Sequence, residues 1–167
     1  MVDCGLVRHL GVSNFGLKAL EDLLSWARIK PVVNQIELHP LLSQRKLVGV
    51  SARYGVHCVA YSPLDHSKTD LLEHPTILRV AQETGKTAAQ VLLRWAVQRG
   101  TAVIPKAGSE PHVLENIDGL FEWRLTWDQK SSIDALDAGK RFISPSWHEW
   151  EDEEEGGAAK PSTVLLL

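Results

Sequence analysis

Apolar and polar positions follow two different periods along the chain. Four short apolar runs, rich in β-branched residues and bounded by Gly, Pro or polar residues, occupy 6–12, 32–38, 56–61 and 101–105. Longer segments with apolar residues at helical spacing lie between these runs. Because strand–helix units in series imply a parallel sheet with right-handed crossovers, the pattern predicts an α/β fold of four parallel strands with flanking helices.

Local signals fix several of the predicted helix ends. Thr87 is followed three residues later by Gln90, and Thr126 is followed in the same way by Gln129. In such a capping box the Thr oxygen and the Gln side chain each satisfy a free backbone N–H group, so a helix is expected to begin after each Thr. Gly85 closes the preceding helical segment with a typical C-cap residue.

The alternating pattern stops at about residue 145. The remaining chain contains an acidic run at 151–155 and then a stretch rich in Gly and Ala. We therefore expect one domain over 1–145, and a C-terminal loop followed by a disordered tail over 146–167.

Composition excludes several classes of protein. The net charge of −3 offers no basic surface for nucleic acid. No apolar run approaches the roughly 20 residues that span a membrane. The two cysteines, Cys4 and Cys58, predict a reducing, cytoplasmic location without disulfides, and Cys58 is expected to be a buried apolar residue. The sequence shows no catalytic constellation and no metal-ligand spacing, so no metal is expected.

Polar residues end the first two predicted strands, where parallel α/β folds bind ligands. Ser13 and Asn14 end the first run and either cap the next helix or contact a ligand. Gln35 and Glu37 share one face of the second strand because strand side chains alternate. Burying that pair without partners would cost about 1–3 kcal/mol, so it either faces a ligand or forms an internal hydrogen-bonded pair. His39, which follows the strand, is expected to be structural.

The later strand ends carry an aromatic residue and a lysine. Tyr61 provides either core packing or a stacking surface for a planar ligand. Lys106 follows the fourth strand, and its loop leads into a helix with Pro111 near the first turn. A lysine beside a helix N-terminus forms an anion site because both carry positive charge, whereas a solvated loop lysine is the alternative.

Taken together, four segments resemble the aldo-keto reductase family. They occur in the family's order: RHLGVSNF at 8–15, PVVNQIELHP at 31–40, AYSPL at 60–64, and IPK at 104–106 with Glu115 and Asn116. The match extends over about 1–140. It implies the C-terminal half of a (β/α)8 TIM barrel, roughly strands five to eight, and reduction of aldehydes or ketones by hydride from NADPH.

The resemblance assigns the nicotinamide end of a cofactor site to strand ends. Ser13, Asn14 and Gln35 would hold the nicotinamide carboxamide. Tyr61 would stack on the nicotinamide ring and fix the face that delivers hydride. These roles suit the residue types, because amides match an amide and a π-face matches a ring.

The phosphate and adenine end is assigned in the same way. Ser62, Leu64 and neighbouring backbone would line the pyrophosphate. Lys106 would meet the 2′-phosphate, with Glu115 and Asn116 near the adenine.

Four positions depart from the family pattern. Ala107 stands where the family usually has Ser or Thr, and His112 stands where an arginine clamps the 2′-phosphate or stacks on adenine. Because an imidazole cannot replace a bidentate guanidinium, the NADP(H) preference is weakened and NAD(H) is the alternative cofactor. Gly119 replaces an apolar residue. Asp65 replaces a glycine in the loop over the pyrophosphate and adds repulsion.

The family's catalytic tetrad of Asp, Tyr, Lys and His comes from the first four barrel strands, whereas the resemblance begins here at the approach to strand five. Tyr54 and Tyr61 are the only tyrosines, and neither matches the proton donor, so no catalytic residue is assigned. We expect a fragment of a carbonyl reductase that is inactive as an isolated chain. The alternative is a non-catalytic nucleotide-binding or interaction module of the same fold.

Half a barrel has consequences for association and for substrate contacts. Open edges at the first and fourth strands and an uncovered inner face favour self-association. A small carbonyl substrate is expected only in the full-length form. The region 142–150, with Trp147 and Trp150, would either line an apolar substrate pocket or strap the barrel.

Overall fold

The computed structural model describes residues 1–64, 70–143 and 164–166, and its strands and helices alternate along most of the chain. A short 3-10 helix, Leu71–Glu73, precedes α3. The other elements, in chain order, are β1 (Leu10–Ser13), α1 (Leu17–Trp26), β2 (Val33–Glu37), α2 (Arg45–Arg53), β3 (His57–Tyr61), α3 (Pro75–Thr84), α4 (Ala88–Gln98), β4 (Ala102–Ile104), α5 (Glu110–Ile117), α6 (Trp127–Asp134) and β5 (Val164–Leu166).

The strands form one sheet in the order β4-β3-β2-β1-β5. β1 and β2 are parallel, with Gly11 opposite Val33 and Ser13 opposite Gln35. The helix α1 connects them, as expected for a strand–helix–strand unit. The prediction of an α/β fold with parallel strands is therefore confirmed, and the four predicted runs all contain strands.

A fifth strand, which the hydrophobic pattern does not predict, lies at the end of the chain. β5 pairs with β1 in the antiparallel sense, with Val12 opposite Val164 and Leu10 opposite Leu166. The expectation of an open edge at the first strand is therefore wrong, because the β5 backbone pairs with that edge. Of the range 146–167, where we expect a loop followed by a disordered tail, only 164–166 is described, and there the structure has a strand.

The chain divides into two compact units. The first comprises Met1–Ile36, Gln44–Val59 and Ile143–Leu167, and the second comprises Glu37–Ser43 and Ala60–Phe142. Apolar side chains of strands and helices form the core of the first unit: Val12, Leu20, Leu24, Ile36, Leu47, Val50, Val56 and Cys58. Helical residues dominate the core of the second: Ile77, Val80, Val91, Leu92, Leu93, Trp95 and Ile133.

The helix ends follow the local sequence signals. Thr87 Oγ1 accepts from the Gln90 backbone N–H at 3.2 Å, and the Gln90 side chain accepts from the Thr87 N–H at 3.1 Å. Thr126 and Gln129 form the same pair of bonds at the start of α6. Gly85 caps α3 with a φ of 65°, a left-handed conformation that glycine adopts without strain.

Two further observations concern the sequence expectations. Cys58 is buried, as predicted, and Cys4 is exposed. In the parts of the chain that the structure describes, none of the helices combines the length and apolar character that crossing a membrane requires.

Candidate functional site

In the first unit, the turn after β1 is built against β2. Ser13 Oγ donates to the Gln35 carbonyl oxygen at 3.0 Å, and the Asn14 backbone N–H donates to the same oxygen at 2.9 Å. Asn14 is 9% exposed and has a φ of 61°, which is uncommon for a residue with a side chain. The structure therefore brings Ser13, Asn14 and Gln35 together around one backbone carbonyl.

The alternative role for Ser13 and Asn14, capping of the next helix, is not what the structure shows. The N-cap of α1 is Gly16, and no side chain makes a capping hydrogen bond there. Ser13 donates instead across the sheet to a residue 22 positions away. The helix-capping interpretation is therefore wrong, because the turn at Asn14 intervenes between β1 and α1.

Asn34 is a buried polar residue at this turn that the sequence analysis did not single out. It has no exposed surface, and its side-chain amide contacts both backbone groups of Phe15. The Phe15 N–H donates to Asn34 Oδ1 at 3.3 Å, and Asn34 Nδ2 donates to the Phe15 carbonyl at 2.7 Å. An asparagine in the middle of an apolar run is the sequence signal that points to such a residue.

Gln35 itself is half-buried, and its carboxamide makes no hydrogen bond to any residue that the structure describes. Because strand side chains alternate, Gln35 points to the face opposite Asn34. The first unit thus presents a side-chain amide with both its donor and acceptor capacity available.

In the second unit, Glu37 is held by internal hydrogen bonds. Its Oε1 lies 3.0 Å from His39 Nε2 and accepts from the Phe142 backbone N–H at 2.8 Å, and Glu37 and His39 are both fully buried. The Phe142 ring stacks on His39 with ring centroids 5.0 Å apart. Glu37 is therefore engaged inside the unit, but with His39 and Phe142 and not with Gln35 as the predicted pair, and His39 is structural as expected.

Three predicted site residues lie at the end of β3 or within three positions after it. Tyr61 is its last residue, and Tyr61, Ser62 and Leu64 are all half-buried. Ser62 has a φ of 52°, and its buried Oγ has no hydrogen-bond partner among the described residues. A left-handed serine with an unsatisfied hydroxyl is costly, and such strain concentrates at binding sites.

The remaining predicted residues lie on the loop after β4 and on α5. Lys106 and His112 are exposed, Glu115 is half-buried and Asn116 is 6% exposed. The Gln90 side chain donates to the Glu115 carbonyl at 3.1 Å and so ties α5 to α4. Lys106 thus precedes α5 in the chain, and its exposed ammonium is accessible to an anion.

The segment after α5 contains one of the departures from the family pattern. Gly119 has a φ of 59°, a conformation that an apolar replacement would adopt only with strain.

The neighbouring Leu120 carbonyl accepts from Arg94 Nη1 at 3.0 Å. Burial lowers the pKa of Arg94, with a further contribution from the nearby positive charge of Arg124.

Some predicted features fall outside the described residues, namely Asp65, Trp147 and Trp150. Within the described ranges, no group of three or more His, Cys, Asp or Glu side chains could hold a metal ion.

Comparison with known proteins identifies one family over most of the chain. The sequence profile of the aldo/keto reductase family matches residues 1–138. Aldose reductase B of Dictyostelium discoideum is 40% identical over 146 residues, which cover 87% of this chain and 47% of that protein. A probable NAD(P)H-dependent D-xylose reductase of Emericella nidulans is 44% identical over 157 residues, covering 87% of this chain and 49% of the relative.

Solved structures give the same result. The crystal structure of MGS-M4, an aldo-keto reductase enzyme from a Medee basin deep-sea metagenome library, superposes with a TM-score of 0.81 and 32% identity. The match covers 86% of this chain and 53% of that one. The chain therefore spans about half the length of the relatives it matches.

Proposed function

The chain belongs to the aldo/keto reductase family, and from this premise we propose that it supplies part of a nicotinamide cofactor site for carbonyl reduction. We further propose that the chain corresponds to the later half of the barrel, roughly strands five to eight. The order of the four strand-end segments supports this assignment. In the whole protein, an aldehyde or ketone would be reduced to an alcohol by hydride from NADPH.

One observation carries the proposal: the cluster of polar groups around the Gln35 carbonyl. Ser13 donates its single hydroxyl hydrogen to that carbonyl, so only the lone pairs of Oγ remain for a ligand. Ser13 would therefore accept a hydrogen bond from the carboxamide nitrogen of nicotinamide. The Gln35 amide can donate to the carboxamide oxygen, and Asn14 would supply the second amide that the resemblance assigns.

The remaining residues that the resemblance assigns would meet the rest of the cofactor. The Ser62 hydroxyl lacks an acceptor among the described residues and can donate to a pyrophosphate oxygen. Tyr61 would stack on the nicotinamide ring, with Leu64 and backbone beside the pyrophosphate. Glu115 and Asn116 would lie near the adenine.

The 2′-phosphate end determines which cofactor is preferred. Lys106 offers one exposed ammonium to that phosphate, while Ala107 and His112 remove a hydroxyl and a guanidinium that the family uses. We propose that NADPH binds with only a small advantage over NADH. The advantage comes from one charge-assisted contact, since the bidentate clamp is absent.

The chain's own residues bind and orient the cofactor in this proposal, and none of them supplies the proton. The reduced nicotinamide ring of NADPH, when bound, would supply the hydride. The 167-residue chain should therefore bind cofactor without turning over a carbonyl substrate.

Titration of the purified chain with NADPH and NADH, followed by tryptophan fluorescence and calorimetry, tests this. Gln35→Ala should weaken NADPH binding by about tenfold, the factor for one lost hydrogen bond. Tyr61→Ala should weaken it further through loss of stacking. Tyr54→Ala is the matched control, because Tyr54 is 55% exposed and lies at the end of α2.

Two results would contradict the proposal. A folded chain that binds neither cofactor would overturn the assignment of the site. Oxidation of NADPH by a simple aldehyde, lost in Tyr61→Ala, would overturn the view that these residues do not suffice for catalysis. Binding without turnover, unchanged when the first half of a relative is added, would favour the non-catalytic module.

We also propose self-association, and we expect it at the β4 edge of the sheet, because β5 pairs with β1 at the other edge. β4 is the terminal strand of the sheet, and Ile104 on it is 47% exposed. Ile117 and Phe121, in the same unit, are 64% and 76% exposed. We expect sedimentation to show concentration-dependent dimers that Phe121→Glu weakens and Trp26→Glu does not; a monomer at every concentration would refute this.

A further inference from the structure

Asn34 holds the turn that follows β1 from inside the first unit. Its side-chain amide forms a two-point clamp, with Oδ1 accepting from the Phe15 N–H at 3.3 Å and Nδ2 donating to the Phe15 carbonyl at 2.7 Å. Both donor and acceptor of one peptide residue are thereby satisfied by a residue 19 positions away. Such a clamp fixes the orientation of the backbone and not merely its position.

The residue next to the clamp is Asn14, one of the amides proposed to meet nicotinamide. Its φ of 61° lies in the left-handed region, which persists only where the surroundings determine it. On one side the Gln35 carbonyl accepts from the Asn14 N–H at 2.9 Å, and on the other side Asn34 holds Phe15. Two consecutive residues of β2 therefore fix the conformation of Asn14.

Asn34 cannot do this by touching the ligand that Gln35 would touch. Adjacent strand residues point to opposite faces, so Asn34 lies on the face away from the Gln35 amide. Asn34 is also fully buried, and its Oδ1 and Nδ2 are both engaged. Its influence on a ligand must pass through the turn.

We propose that Asn34 is a positioning residue that fixes the left-handed turn at Asn14 and so sets where the Asn14 side chain meets the nicotinamide carboxamide. The inference rests on the proposed cofactor site. It adds a residue that the family resemblance did not assign. Replacing this residue should weaken the contacts with the nicotinamide end of the cofactor and leave the contacts with its phosphates and adenine unchanged.

The test compares two ligands on the full 167-residue chain. NADPH carries the nicotinamide, whereas 2′-phospho-ADP-ribose carries the adenine and phosphates without it. Asn34→Ala should weaken NADPH binding by about tenfold, the factor for one displaced hydrogen bond, and leave the affinity for 2′-phospho-ADP-ribose within about twofold. Ser51→Ala is the control, since Ser51 is also a fully buried polar residue of the first unit and should change neither affinity.

A conservative variant keeps the test decisive if alanine disrupts folding. Asn34→Asp retains the acceptor for the Phe15 N–H and loses the donor to its carbonyl. Its second carboxylate oxygen would face the Phe15 carbonyl, so at neutral pH it should weaken NADPH binding at least as much as alanine does, and the loss should shrink as the pH falls and the carboxyl regains a proton to donate. Near-UV circular dichroism reports whether each variant is folded.

The outcomes separate the two proposals. Equal weakening of both ligands in folded variants, or weakening of neither, would show that Asn34 is merely structural and overturn the inference. Failure of the wild-type chain to bind NADPH would instead overturn the proposed cofactor site, and the inference would fall with it.

Discussion

Replacing Glu37 tests whether this buried carboxylate is part of the internal framework or faces a ligand. In the structure its Oε1 contacts His39 Nε2 at 3.0 Å and the Phe142 N–H at 2.8 Å, with no exposed surface on Glu37 or His39. Glu37→Ala would leave both of these buried partners, the imidazole and the backbone N–H group, without their hydrogen bond to the carboxyl group.

The expected loss is large on the scale of a folded domain. A buried polar group left without its hydrogen bond costs about 1–3 kcal/mol, and Glu37→Ala leaves two such groups. We therefore expect Glu37→Ala to lower the free energy of unfolding by about 3–5 kcal/mol. Glu37→Gln keeps the volume and one acceptor oxygen, so its cost should be nearer about 1–2 kcal/mol.

Urea unfolding, followed by tryptophan fluorescence and far-UV circular dichroism, measures both changes. Glu73→Gln, an exposed glutamate of the same unit, is the control and should stay within about 0.5 kcal/mol of the wild type. A Glu37→Ala loss below about 1 kcal/mol with an unchanged denaturant slope would refute the internal role. A change in cofactor affinity without a change in stability would revive the ligand-facing interpretation.

Three local predictions use the same unfolding assay or a titration. Gly119→Ala should destabilise by about 1 kcal/mol because its φ is 59°, whereas Gly49→Ala, with open space in the middle of α2, should stabilise by about 0.5–1 kcal/mol; equal effects would refute the argument. Thr87→Ala should cost about 1 kcal/mol through loss of the α4 cap. The pKa of Glu83 is lowered, chiefly by a hydrogen bond from Gln129, so its contribution to stability is present above the usual carboxyl pKa of 4.5 and is lost as the pH falls through the lowered value. Gln129→Ala should raise that pKa toward 4.5 in an NMR titration, and an unchanged value would exclude this cause.

The parts of the fold that the sequence predicts best are those whose partners lie within one helical turn. The capping boxes at Thr87 and Thr126 and the left-handed cap at Gly85 occur as expected, because each depends only on nearby residues. The four apolar runs likewise contain strands, although the first strand begins at Leu10 and not at residue 6. The strand β5 has only three residues, too few to show a periodic hydrophobic pattern in the sequence.

Side-chain partners across the sheet are harder to predict, because they depend on register. Spacing alone suggested that Ser13 caps a helix. The strand register places Ser13 opposite Gln35, and the Gln35 carbonyl accepts a hydrogen bond from the Ser13 hydroxyl. In the sequence, Asn34 is a single polar residue in an apolar run. Only the structure shows that its side-chain amide forms hydrogen bonds with the Phe15 backbone. The family resemblance supplied the site residues that spacing could not, and their contacts with a cofactor remain predictions.

The conformation of Ser62 allows a last prediction, in which stability and binding should change in opposite directions. A left-handed φ costs a residue with a side chain about 1–2 kcal/mol, while glycine loses about 0.5–1 kcal/mol more on folding, so Ser62→Gly should leave the stability equal or slightly higher. If the strain serves to aim the hydroxyl at a pyrophosphate, the same variant should bind NADPH more weakly. Ser62→Ala keeps the strained backbone and removes only the hydroxyl, so an equal loss of affinity in both variants would assign the effect to Oγ. A Ser62→Gly chain that is more stable than the wild type and binds NADPH normally would refute this role, because the strain would then be relieved by glycine at no functional cost.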